Sequence, residues 1–127
     1  MGGVAGHAGL FSTADDLAIF TAMLLGEGRY GSVRILQPET VREMFAIQTG
    51  TLTPPRGLGW LCDDPSFMGA LASPRTVGHT GFTGTSIVLD RDRQLSVILL
   101  TNRVHPSRNG PALGAIRSAV AEAAAAL

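Results

Sequence analysis

The chain has 127 residues, 45% hydrophobic and 16% charged, a composition that indicates one globular domain. Its ten basic and ten acidic residues cancel, which argues against nucleic acid as a partner, because such binding needs a clustered basic face. The single cysteine, Cys62, excludes an intrachain disulfide. No apolar run is long enough to span a membrane, and the first residues lack the pattern of a signal peptide, which leaves the compartment undetermined.

The first predicted element is a helix that starts near residue 13. Thr13 and Asp16 have the spacing of a capping box, in which each satisfies backbone groups at the start of a helix. Leu17, Phe20 and Leu24 then recur at helical spacing and predict one apolar stripe. The glycines that follow are expected to end this helix.

A shorter helix and several strands follow. Pro38 stands in the favoured first turn of a helix that reaches Phe45, and Thr49–Gly57 has the glycines and prolines of a loop. Leu58–Leu61 is a candidate short strand, and Asp63–Pro74 is predicted to be a surface loop. Three further strands are expected at Thr76–His79, Thr85–Leu89 and Leu95–Thr101.

The last strand and the last helix carry the strongest apolar patterns. Leu95–Thr101 is almost unbroken in apolar character, which predicts burial on both faces of the sheet. After Asn109–Pro111 the sequence becomes alanine-rich, and alanine has the highest helix propensity. The buried side of this helix is predicted to carry Leu113, Ile116, Val120, Ala124 and Leu127.

The segment Gly78–Thr85 is the most informative part of the chain for function. Three glycines surround His79 where a strand ends and a tight turn begins. Glycines leave the backbone bare, which suits a place where a ligand lies against the main chain. The sequence therefore predicts a ligand-binding turn here.

The triad His79-Thr80-Gly81 resembles the Lys-Thr-Gly signature of serine β-lactamases and penicillin-binding proteins, with histidine in place of lysine. Further blocks resemble the same family in the same order, and the chain is identified as the C-terminal third of a β-lactamase-related serine hydrolase. That superfamily includes class C β-lactamases, D-alanyl carboxypeptidases, family VIII esterases and muropeptide amidases. The further blocks are Gly6–Leu17, Arg34–Val41, Gly57–Trp60 and Leu95–Arg103. Gly6–Gly9 together with Asn102–Pro106 is most similar to the branch of exo-acting N-acetylmuramyl-L-alanine amidases.

The resemblance implies an α/β (α+β) fold class and a partial β-lactamase-like domain over residues 1–127. Residues 1–50 would belong to the helical lobe, and residues 51–127 would form an antiparallel sheet with a C-terminal helix across it. The implied activity is hydrolysis of an amide or ester through an acyl-enzyme, without cofactor or metal. The substrate class stays open among β-lactams, peptides, muropeptides and esters.

The resemblance also assigns roles to the cleft residues. His79 would join the proton network or bind the polar head of the substrate, with Thr80 and Gly81 beside it. The backbone N–H of Phe82 would be one of the two oxyanion donors. Thr83, His7 and Trp60 are candidate substrate contacts. Each of these residues also has an ordinary structural interpretation: a strand-end histidine, strand threonines, a loop histidine and a core tryptophan. Zinc binding has no support, because the histidines lack ligand spacing.

The chain departs from the family pattern in its missing nucleophile. The family uses a Ser-x-x-Lys and a Tyr-x-Asn, and here Tyr30 does not fit the second motif while no lysine occurs at all. The expectation is a chain inactive alone, which associates with a missing N-terminal portion or with itself through an open sheet edge. A non-catalytic binding or partner-packing module is the alternative.

Overall fold

A four-stranded antiparallel sheet forms the centre of this computed structural model, which describes residues 2–127. Its strands follow one another in chain order, and a two-stranded hairpin lies apart from them. The α+β fold class predicted from the sequence is confirmed. The helices are α1 (Ala14–Leu25), α2 (Pro38–Phe45), α3 (Pro65–Met68) and α4 (Gly114–Ala125). The hairpin strands are β1 (Arg29–Tyr30) and β2 (Val33–Arg34), and the sheet strands are β3 (Leu61–Cys62), β4 (Thr76–Thr80), β5 (Ser86–Asp90) and β6 (Leu95–Leu99).

The core lies on both faces of the sheet, because side chains alternate along each strand. Val77 and Leu89 are opposite each other on β4 and β5 and pack on one face with α1 and α2. Val88 packs on the other face with α3 and α4. Gly78, opposite Val88, has no side chain, and an added Cβ would lie 2.9 Å from the Phe67 ring. That glycine therefore lets α3 approach the sheet closely.

The start of α1 confirms Thr13 as the N-cap, but only half of the predicted capping box forms, because the Asp16 carboxylate accepts from the Thr13 hydroxyl instead of the Thr13 N–H. The buried face of the helix also differs from the prediction. Thr13 Oγ1 accepts a hydrogen bond from the Asp16 N–H at 3.2 Å. Phe20, placed in the apolar stripe, is 41% exposed. The helix packs against β6 and the hairpin instead, which buries Thr21, whose hydroxyl bonds that of Ser96 at 3.0 Å.

Two predictions between residues 58 and 74 are wrong. The strand begins only at Leu61, because Gly59 has a φ of +81°, which is not extended backbone. The expected surface loop contains α3 and a 3-10 turn over Gly69–Leu71. This helix is too short to show periodicity in the sequence. Phe67, Met68 and Leu71 are buried against α4 and the sheet, and this packing sets the position of α3.

The predictions for β6 and α4 also need correction. Within residues 2–127, β6 pairs only with β5, so it is an edge strand whose side chains are all half-buried rather than buried on both faces. On α4 the most buried residue is Ala121, while Ile116 is exposed. Leu127, also exposed, lies beyond the end of the helix. The buried side is thus turned by about one residue from the predicted one, because small residues allow α3 to pack closely against α4.

Asp90 closes the turn between β5 and β6 and is a buried carboxylate. It accepts hydrogen bonds from the Asp92 N–H at 2.9 Å, the Arg93 N–H at 3.1 Å and the Arg93 guanidinium at 2.6 Å. Burial by itself raises the pKa of Asp90, but the hydrogen bonds from Arg93 and Asp92 outweigh it and leave the pKa below its ordinary value. The ionised form therefore stabilises the folded chain.

We expect Asp90→Asn to lower the free energy of unfolding at pH 7 by about 1–3 kcal/mol, because the guanidinium would face an amide N–H₂ instead of an oxygen. A depressed folded-state pKa contributes stability above the unfolded pKa of about 4, and that contribution is lost as the pH falls through the folded value. The difference in the free energy of unfolding between variant and wild type should therefore disappear at acid pH, as measured by urea unfolding at several pH values.

Asp92→Asn is the matched control, since Asp92 pairs with Arg75 on the surface, where ion pairs contribute little. Equal losses for both variants would contradict the role given to Asp90.

Candidate functional site

A cleft of about 1070 Å³ opens where β4 leaves the sheet. Four separate parts of the chain line it: the N-terminal loop, the residues before β3, the turn between β4 and β5, and the segment after β6. All seven residues singled out from the sequence lie along this cleft, namely His7, Trp60, His79, Thr80, Gly81, Phe82 and Thr83. The fold therefore brings together residues that the sequence places far apart.

The turn between β4 and β5 is held rigidly by its own backbone. The Gly81 N–H donates to the Thr85 carbonyl at 2.8 Å, and the Gly84 N–H donates to the Gly81 carbonyl at 3.0 Å. Gly84 has a φ of +120°, and a Cβ there would lie 2.6 Å from the Thr101 hydroxyl. Only glycine fits this position without displacing the segment after β6.

Contacts to the segment after β6 fix the turn from outside. The Arg103 N–H donates to the Thr83 carbonyl at 2.8 Å, and the Thr101 hydroxyl donates to the Gly84 carbonyl at 2.9 Å. These bonds tie the turn to the end of the edge strand. The backbone groups that it presents to the cleft consequently have defined directions.

Phe82 stands at the rim of the cleft with 67% of its surface exposed. The Arg103 guanidinium lies 5.5 Å from the centre of its ring, a cation–π distance. Within residues 2–127 the Phe82 N–H donates to no other group. A backbone donor on a rigid turn, left free beside a cleft, is suited to bind an oxygen of a ligand.

His79 is the fourth residue of β4 and lies opposite Ile87 on β5. Its Nδ1 is 2.9 Å from the Thr80 carbonyl oxygen. When Nδ1–H donates to that carbonyl, the imidazole is held in one tautomer and Nε2 is the basic nitrogen. Nε2 has no hydrogen-bond partner in the described part of the chain, so it is free to bind a ligand group or exchange a proton.

His7 and Trp60 also line the cleft. His7 is exposed in a tight loop closed by the Ala5 N–H to Ala8 carbonyl bond at 2.8 Å. Trp60 is buried, and its ring meets that of Phe45 edge to face at 5.7 Å between centres. Trp60 belongs to the core cluster on the face of the sheet that packs with α1 and α2, and it also lines the cleft.

Sequence reasoning missed Arg117, which reaches the turn from α4. Its Nη2 donates to the Gly81 carbonyl at 3.0 Å and the Thr85 carbonyl at 3.1 Å. Burial, and then the charge of Arg103, lower the pKa of Arg117 below its ordinary value. The sequence holds one signal for this residue: an arginine four residues after Leu113 and four before Ala121 falls on an apolar helix face.

The described residues hold no group of three or more His, Cys, Asp or Glu side chains placed to bind a metal ion. Across residues 2–127, no helix combines the length and the apolar character needed to cross a membrane.

Comparisons with known proteins show the family of the chain. A family model described as "Beta-lactamase" matches residues 1–121. A protein of Escherichia coli (strain K12) named "Putative D-alanyl-D-alanine carboxypeptidase" is 41% identical over 109 residues, which cover 83% of this chain and 25% of that protein. A protein of the same name from Salmonella paratyphi B is 40% identical over 109 residues, with the same coverage. The chain thus spans about a quarter of the length of these relatives.

The fold also resembles a solved structure, named "Crystal structure of putative beta-lactamase from Bacteroides dorei DSM 17855", with a TM-score of 0.60. The two chains are 19% identical, and the match covers 97% of this chain and 44% of the other. At this identity the likeness shows the fold alone.

Proposed function

Because the chain belongs to the β-lactamase family of serine hydrolases, we propose that it forms one wall of an active site that hydrolyses an amide or ester through an acyl-enzyme. The observation that carries this proposal is the free Phe82 N–H on a rigid turn beside His79 and the cleft. Attack of a serine on a carbonyl places negative charge on the carbonyl oxygen. A backbone donor aimed at that oxygen can contribute about 3 kcal/mol to the transition state.

The remaining cleft residues take roles around this donor. His79 replaces the lysine of the family signature and, through Nε2, joins the proton network or binds the polar head of the substrate. Thr80 and Thr83 offer hydroxyl groups to a substrate carboxylate or carbonyl. His7 and Trp60, which line the same cleft, contact the substrate. The serine nucleophile, its lysine and the second oxyanion donor come from outside this chain.

Among the possible substrates we favour a peptide that ends in D-alanyl-D-alanine. The name carried by the 41% identical relative supports this choice over a β-lactam or a simple ester. A cleft of about 1070 Å³ has room for the end of such a peptide, and its rim offers the apolar surface of Phe82. Assignment to the muropeptide amidase branch stays a prediction.

A partner follows from the same proposal. The open edge of β6 would pair with a strand of the N-terminal portion of the enzyme and, where that portion is missing, with a second copy of this chain. Residues 1–127 would then be a single partial domain, with residues 1–50 belonging to the helical lobe. No cofactor enters the proposed reaction.

The proposal is tested in a chimera in which this chain replaces the matching region of the Escherichia coli relative. We expect the chimera to release D-alanine from a D-alanyl-D-alanine peptide, and His79→Ala to lower kcat by about 10²-fold or more, as loss of a general acid–base group does. The melting temperature should change little, because His79 is exposed. D-alanine release and thermal melting are the two measurements.

His105→Ala is the matched control, since His105 is exposed and lies outside the lining of the cleft. Full activity of His79→Ala combined with a melting temperature several degrees lower would show that His79 is structural. A wild-type chimera that bound the peptide without hydrolysing it would favour the alternative, a non-catalytic binding module.

A further inference from the structure

Arg117 makes a contact that the proposed function has not used. It is the one basic residue of α4, and its Nη2 lies between two carbonyl oxygens of the turn, at 3.0 Å from Gly81 and 3.1 Å from Thr85. Charged donors make shorter and stronger hydrogen bonds than neutral ones. The guanidinium therefore clamps the two ends of the turn from the α4 side of the sheet.

The Gly81 carbonyl and the Phe82 N–H belong to the same peptide unit. That unit is planar, so a bond that fixes the direction of its C=O also fixes the direction of its N–H. Within the turn, the Gly84 N–H already donates to this C=O at 3.0 Å. Arg117 adds a charged donor from outside the turn, which restricts rotation of the peptide plane further, since Gly81 has no side chain to do so. A cation at the oxygen also polarises the amide and makes its N–H a better donor.

We infer that Arg117 is a positioning residue for the oxyanion donor: its guanidinium holds and polarises the Gly81–Phe82 peptide so that the Phe82 N–H meets the developing charge. The inference rests on the proposed function, because it takes the Phe82 N–H as that donor. Arg117 itself does not touch the substrate in this arrangement. It acts through the peptide.

The surroundings of Arg117 are unfavourable for a purely structural arginine. Its Nε is buried without a hydrogen-bond partner, and no carboxylate among residues 2–127 forms an ion pair with it. Arg103 brings a second positive charge close by. A half-buried cation without an ion-pair partner costs stability, which favours a role for Arg117 beyond packing.

Arg34 provides a matched comparison within the chain. Its Nη1 also bridges two backbone carbonyls, those of Glu27 at 3.0 Å and Leu36 at 2.9 Å. It lies exposed at the hairpin and outside the cleft. Arg34→Met therefore removes the same kind of contact without touching the turn.

The first measurement needs no catalysis and uses the whole chain within the chimera, with isotope label in this chain alone, so that the self-association expected of the isolated chain does not interfere. Gly81-Phe82 is the only Gly-Phe pair in the sequence, so ¹³C-carbonyl glycine with ¹⁵N-phenylalanine gives a single correlation peak from this peptide. We expect Arg117→Met to move the carbonyl resonance upfield, Arg117→Lys to move it less, and Arg34→Met to leave it in place. An unmoved peak in Arg117→Met would overturn the inference and leave the proposed function standing.

The second measurement uses the chimera. Loss of a whole oxyanion donor costs 10²–10³-fold in kcat, so misdirecting one should cost about 10- to 100-fold with KM nearly unchanged. We expect this loss in Arg117→Met, partial recovery in Arg117→Lys and wild-type kinetics in Arg34→Met. If Arg117→Met had the same kcat as Arg34→Met although its carbonyl peak had moved, the catalytic part of the inference would be overturned. An inactive wild-type chimera would overturn the proposed function itself, and this result is distinct from an unmoved peak and from an unchanged kcat in Arg117→Met.

Discussion

The isolated chain is expected to hydrolyse neither a chromogenic cephalosporin nor a p-nitrophenyl ester above the buffer rate, whereas the chimera is expected to be active. The reason is chemical. The chain contains no Ser-x-x-Lys and no lysine, so no hydroxyl in it has the family's activating base. One oxyanion donor has nothing to stabilise until a nucleophile attacks. Enzymes of this kind exceed the uncatalysed rate by on the order of 10⁶-fold or more, so the contrast should be close to all-or-none.

A fluorophosphonate probe, which labels activated serines, gives the measurement. We expect no label on the isolated chain and one label on the chimera, at the serine that the relative contributes. A chimera with that serine changed to alanine is the control for non-specific labelling. Acylation of any serine within this chain would contradict the assignment, because it would place a nucleophile among these 127 residues.

We also expect the isolated chain to form a dimer or a higher oligomer, or to be poorly soluble, at micromolar concentration. Among the described residues β6 pairs on one side only, which leaves a row of backbone N–H and C=O groups open. Its sequence Leu95–Leu99 contains no charged residue and no proline, the residues that usually protect an edge strand. Helices cover the two faces of the sheet, but a helix on a face cannot satisfy an edge.

Sedimentation velocity measures this association. Leu100→Lys should weaken it, because it places a charge at the end of the edge strand, where Leu100 is 44% exposed. Ile116→Lys is the matched control, since Ile116 is 48% exposed but lies on α4. A compact monomer near 13.2 kDa for the wild-type chain would contradict the prediction.

Local signals in the sequence predicted the starts of α1 and α2. The capping box at Thr13 and the proline at Pro38 each mark a helix where the structure has one, because caps act within a few residues. Burial was harder to predict, since it depends on what packs against an element. The apolar run of β6 predicted burial on both faces, and only the family resemblance led us to expect an open sheet edge. The helix α3 is stabilised mainly by α4 and the sheet.

The candidate site shows the same difference between features set by local sequence and features set by packing. His79, Thr80, Gly81 and Phe82 are contiguous, so one motif locates them, and the fold adds His7 and Trp60 to the same cleft. Arg117 lies 36 residues from Gly81, and its bond is to a backbone oxygen that every residue type carries. No spacing rule predicts such a contact. It required the position of α4 across the sheet.

Trp60 gives the chain a natural optical probe. It is the only tryptophan, it is buried against Phe45, and it also lines the cleft. Indole fluorescence responds to the polarity and the neighbours of the ring. The same emission band can therefore report two events, the arrival of a molecule in the cleft and the loss of the core packing around Phe45, without any dye or added label.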